Sequence, residues 1–329
     1  MEGTNMVKKF RRTVAMTATA GATALALAAC GAANGGNDSG DGGEDNLLSQ
    51  LQDKGTITVA FAGERPYSWE TEDGELTGAT IALDREIYSN LGIDNVEGKY
   101  VEWNALIPGL NKGEYDSVSA GMSITPDRCE EASFSHPHLM YTTGLMVPEG
   151  NPMGLSDFQS VIDSDAKLAV QAGTIEHGYT EDLEINDPMI VQSSQDGMQA
   201  VSSGRADAFA LTAISLRTMA ENSPDAGVEV TDAFTAEIDG VPQVSAGATV
   251  FRDEDNDLRE AYNEELDKIV NDPEKFEEVV GEFGFTEAER AAKDLTVDMF
   301  CEGSPESLKK ANEIQNSKDT GGSESSTEN

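Results

Sequence analysis

The chain has 329 residues and carries 22 basic against 61 acidic side chains, a net charge of −39. Such a surface repels phosphate backbones and anionic headgroups, which excludes nucleic-acid binding, and it suits a saline medium in which ions screen the self-repulsion. About 255 residues of ordinary composition lie between Leu47 and Cys301, enough for two domains.

In chain order, Lys8, Lys9, Arg11 and Arg12 precede an uncharged run, Thr13 to Ala29, too short and too rich in Ala and Thr to span a membrane. Residues 1–29 are therefore expected to be a signal peptide. The sequence Leu27-Ala28-Ala29-Cys30 resembles the bacterial lipoprotein signal. That resemblance implies lipid on Cys30 and a protein held at the outer face of the cell membrane. Residues 30–46, GAANGGNDSGDGGEDN after the Cys, read as a flexible tether, and their acids lack the alternating spacing of a calcium loop. Residues 302–329 have similar composition and are expected to be a disordered tail.

Between these ends, strands and helices alternate. Residues 47–54 predict a short helix and TITVAFA (56–62) a strand, by its β-branched alternation. GELTGATIALDREIYSNLG gives a short strand and then a helix with Ile81, Ile87, Tyr88 and Leu91 on one side, stopped by Gly92. VEGKYVEW is the next strand. TGLMVPEGNP (143–152) reads as a strand leaving a first lobe for a Pro- and Gly-rich hinge. KLAVQAG, TIEHGYTEDL, MIVQ, SQDGMQAVSSG and ADAFAL then alternate as βαβ units do. GATVFR returns as a strand, and LREAYNEELDKIV is an amphipathic helix with Leu258, Tyr262, Leu266 and Ile269 in line.

The segment Trp103 to Pro137 is built to hold a small carboxylate. Val118 and Ala120 mark a brief buried strand, Gly121 and Ser123 a turn at its carboxyl end, and Arg128 sits on a short helix opened by Thr-Pro. Backbone amides at such a strand end point where open α/β sheets place ligands, and an arginine fork pairs a carboxylate through two parallel bonds. Glu64 and Tyr67 follow the first strand; Thr174 and Thr212 end strands of the second lobe, and Thr174 offers a hydroxyl and a helix-start amide to an anion.

The order of Trp103, IPGL, AGMSIT and PDR resembles the solute-binding proteins of ATP-driven importers for polar amino acids and related zwitterions. The resemblance implies an α/β, two-lobed periplasmic-binding-protein-like fold of type II. Lobe 1 would span 47–146 plus 235–301 and lobe 2 would span 147–234, with two hinge crossings near 146–150 and 230–236. It implies a monomer that binds without catalysis, needs neither metal nor cofactor, and delivers its ligand to a membrane permease and its ATPase. Segments from Glu64 to Tyr67, LIPGL, ITPDRC, NPMGL, GRADAF, DLREAYNEEL and FGFTE are similar to the ectoine and hydroxyectoine binders. By that likeness Tyr67 and Trp103 are rings around a delocalised cation, Glu64 accepts its N–H, and Arg128 pairs its carboxylate. Ser123 departs from the pattern where a third aromatic is expected, a gap that Phe61 or Tyr141 would have to fill. Amino-acid binders of the same class keep an aspartate where this chain has Thr212, and a hydroxyl cannot balance an ammonium. Ectoine-type solutes are thus favoured over a glutamine-like amino acid; a periplasmic dehydratase, built on the same plan, is the remote alternative.

With Cys30 given to lipid, Cys129 and Cys301 remain as an even pair in an oxidising compartment and are expected to form a disulfide, worth up to about 4 to 5 kcal/mol in the chain-entropy model. His136 and His138 are too few for a metal site.

Overall fold

The structure, a computed structural model, describes residues 46–318. The expected signal, Cys30 and all of the tether except Asn46 lie outside them. Asn46 belongs to the fold, since its side chain caps the helix Leu47–Lys54 by accepting from Ser49 N–H.

Two mixed sheets organise the body. In the first, Asn95–Tyr100, Thr56–Phe61 and Ser117–Ser123 run parallel, and Ser245–Phe251 returns antiparallel beside them, itself flanked by Ser133–Phe134 and Leu139–Tyr141. The second sheet has the order Met189–Val191, Leu168–Gln171, Ala208–Thr212, Thr143–Pro148, Val228–Val230. Its strands alternate faces: Leu145, Val147, Ala208 and Ala210 enter one apolar cluster, Met146, Phe209 and Leu211 the other. A sheet covered on both faces needs apolar residues at every position, which is why these strands read as continuous hydrophobic runs.

That run also corrects the first hinge. Thr143–Pro148 does not leave the first lobe; it pairs antiparallel with Ala208–Thr212 inside the second sheet, so the chain changes sheets at Thr142 rather than near 146–150. Pro148 and Gly150 end the strand instead of marking the crossing. On the return, Phe234 still pairs with Thr143, and a small hairpin (Glu237–Ile238 with Val241–Pro242) intervenes before Ser245 re-enters the first sheet.

The helix Asn256–Val270 buries Leu258, Tyr262, Leu266 and Ile269, the stripe its sequence predicts. Cys129 and Cys301 are bonded, with their Cα atoms 5.6 Å apart. The expected disorder is overturned over residues 305–318, where Pro305–Lys318 is a helix; residues 319–329 lie outside the described residues. Ser307 and Ala311 are buried, and Gln315 accepts from Ala292 N–H while donating to the Arg290 carbonyl. A thin stripe, Ala311 and Ile314, docks it within an otherwise polar composition that hid the helix.

Candidate functional site

The carboxyl ends of strands from both sheets meet at one small cavity of about 20 Å³. All eight residues expected at a ligand site line it: Glu64, Tyr67, Trp103, Gly121, Ser123, Arg128, Thr174 and Thr212.

The Glu64–Tyr67 loop is fixed by backbone. Ala79 N–H donates to the Pro66 carbonyl, and both the amide and the hydroxyl of Thr80 donate to the Tyr67 carbonyl. This approach requires Gly78, since a Cβ there would stand 2.2 Å from the Tyr67 oxygen and its φ is +125°. Gly121 is required in the same sense: at φ +59°, an added Cβ would lie 2.6 Å from the Tyr67 ring and 3.0 Å from the Tyr141 hydroxyl. Tyr141 donates to the Gly121 carbonyl and packs edge-on against Tyr67, while Phe61 packs on Tyr100. Neither of these two rings lines the cavity, so the space beside Ser123 receives no third aromatic from them. The Ser123 hydroxyl instead accepts from Ser245.

Polar contacts cross between the lobes. Trp103 Nε1 and an Arg128 nitrogen both donate to the Gly173 carbonyl, at 3.1 and 2.7 Å; a second Arg128 nitrogen donates to the Ser123 carbonyl. The guanidinium carbon lies 5.6 Å from the centre of the Trp103 ring. A relay of hydroxyls runs one way, Tyr67 donating to Thr212, Thr212 to Ser215 and Ser215 to Glu64 at 2.6 Å. Thr174 spends its hydroxyl locally, donating to the Gln171 carbonyl and capping the helix Ile175–Asp182.

Two residues were missed by sequence reasoning. Ser215 lies one helical turn beyond Thr212, and that i, i+3 spacing was the available signal. Glu176 lines the cavity, is 1% exposed, and its Oε1 has no hydrogen-bond partner among the described residues. An acid in a first helical turn reads as an ordinary dipole cap, which concealed it. Burial raises both Glu64 and Glu176 to about 7, opposed at Glu64 by the Ser215 hydroxyl and at Glu176 by its own backbone N–H, Thr174 and Arg128. Burial lowers Arg128 to about 10, so it remains a cation at neutral pH. The cavity thus sets one cation and two titratable acids around two aromatic rings, an arrangement that can pair both ends of a zwitterion. Among the described residues no group of three or more acids, histidines or cysteines is placed to hold a metal ion.

The family model for bacterial extracellular solute-binding proteins, family 3, matches residues 57–280. A probable amino-acid ABC transporter periplasmic-binding protein, y4tE of Sinorhizobium fredii (strain NBRC 101917 / NGR234), is 32% identical over 260 residues, covering 77% of this chain and 85% of that protein. The L-cystine-binding protein TcyJ of Escherichia coli (strain K12) is 23% identical over 231 residues, 70% of this chain and 83% of that one. Among solved structures, EhuB in complex with hydroxyectoine superposes with a TM-score of 0.68 at 30% identity, covering 78% of this chain and 98% of its own.

Proposed function

The chain belongs to the bacterial extracellular solute-binding proteins, family 3, and on that premise we propose that it captures a small zwitterion, an ectoine-type solute foremost, and hands it to an ABC permease. It is a binding protein of the amino-acid importer class and not an enzyme. The observation that carries the ligand reading is that Arg128, Glu64 and Glu176 line one cavity together with Tyr67 and Trp103. A ligand carboxylate would take over Arg128, exchanging neutral carbonyl partners for a charge-assisted fork. A delocalised, weakly hydrated cation gains about 0.5 to 2 kcal/mol from each well-placed aromatic face. The likeness to the hydroxyectoine-bound EhuB supports the same choice.

A second reading, an α-amino acid, is favoured by Glu176: it supplies the counter-charge for an ammonium that Thr212 cannot. Titration calorimetry with ectoine, hydroxyectoine, glutamine and arginine separates the two. Tightest binding of ectoine or hydroxyectoine supports the first; submillimolar binding of an amino acid alone overturns it.

Delivery from the outer face of the membrane, through lipid on Cys30, completes the reading. Cys30→Ala should move the protein from the membrane to the soluble fraction, and unchanged partition would remove the anchor.

A further inference from the structure

The cavity holds more acceptors than the proposed ion pairs use. Glu64 receives the Ser215 hydroxyl, and the relay from Tyr67 through Thr212 ends there. Nothing in the relay reaches Glu176, whose Oε1 is buried without a donor among the described residues. Arg128 directs nitrogens at the carbonyls of Ser123 and Gly173. A buried carboxylate oxygen left without a donor is costly, so whatever occupies this cavity is favoured in proportion to the N–H groups it brings. The rings of Tyr67 and Trp103 make no such demand, because an aromatic face accepts an alkylated cation as readily as one bearing N–H.

On the reading that the cavity holds a zwitterion, we infer that Glu176 is a specificity-determining contact: with Glu64 it admits cations that present N–H donors in two directions, an amidinium, guanidinium or primary ammonium, and rejects fully N-alkylated ones. A betaine matches the charge but leaves the Glu176 Oε1 without a donor, an exclusion written into the site rather than an added attraction. The charged and titratable groups acting on Glu176 are Arg128, Glu64 and Tyr67 from the first lobe and Tyr179 from its own helix. Burial holds both acids partly protonated near neutrality. An N–H cation between them favours their charged forms and therefore displaces protons.

The test is calorimetry at pH 7, in two buffers of different ionisation enthalpy, of the wild type, Glu176→Gln and Glu176→Ala with ectoine, arginine and glycine betaine. The best N–H-bearing ligand should bind about a hundredfold or more tighter than glycine betaine. Glu176→Ala should weaken that ligand by about tenfold or more while leaving glycine betaine unchanged, and Glu176→Gln should fall between, with fewer protons released than the wild type. Thermal unfolding of both variants, expected at or above the wild-type midpoint because a buried acid is removed, establishes that they are folded. Glycine betaine within about threefold of the best N–H-bearing ligand, or a folded Glu176→Ala that keeps its affinity within about twofold, overturns this inference alone. A wild type that binds none of these three, and neither hydroxyectoine nor glutamine, overturns the zwitterion reading, and the inference with it.

Discussion

Arg128 is the one cation among the described residues that line the cavity, so removing it leaves a ligand carboxylate buried without a partner. Arg128→Ala should weaken zwitterion binding by about a hundredfold or more, measured by calorimetry; a change within twofold would mean that the ligand lies elsewhere. The acids predict a pH dependence of a definite sign. Glu64, Glu176 and Asp84, the last accepting from Tyr262 in the core of the first lobe, are each raised to about 7, chiefly by burial. A folded state that holds its protons above the unfolded pKa is most stable below that pKa. It loses stability as pH rises from about 4 to about 7, and levels off beyond. The ligand-free midpoint in scanning calorimetry should therefore be higher at pH 5 than at pH 8, and Glu64→Gln, Glu176→Gln and Asp84→Asn should each flatten the profile; a midpoint that rises over that range would refute it. At this scale the sequence showed the residues that follow strands, since turn chemistry and strand ends are local. It did not show Glu176, because whether a first-turn acid faces water or a cleft depends on how the opposite lobe is placed.

The elements divide in the same way. Thr56–Phe61 and Asn256–Val270 were readable from periodicity, because each sets buried residues at the spacing of its own element, wherever its partners lie in the chain. Thr143–Pro148 was readable as a strand but not as a member of the second sheet, since pairing with Ala208–Thr212 is a contact across more than sixty positions. Pro305–Lys318 was unreadable: its buried stripe is too narrow to lift it from a polar composition, and side-chain bonds from Gln315 do part of the holding. Ending the chain after Gly303 strips the Ala292 N–H of its partner and uncovers the apolar surface on which Ala311 and Ile314 rest. The unfolding midpoint should fall by about 3 to 10 °C, read by calorimetry, and an unchanged midpoint would show the helix to be idle.

Across the whole molecule, closure rests on a few polar contacts between lobes. The Gly173 carbonyl, which receives both Trp103 and Arg128, is the most concentrated of them. A ligand held from both sides shifts the lobes further toward that arrangement, the form a permease can distinguish from an open one. The bond between Cys129 and Cys301, 172 positions apart, encloses the whole second sheet and both passages between lobes in one covalent ring. Tension applied at the two chain ends therefore runs through the bridge and bypasses the second lobe. Pulled in an optical trap, the oxidised protein should fall short of its full contour by about 600 Å, a length that reappears on adding reductant; equal contours in both states would show that the ring does not close. Load carried from one end of the chain to the other would thus leave half of the binding cleft out of the line of force.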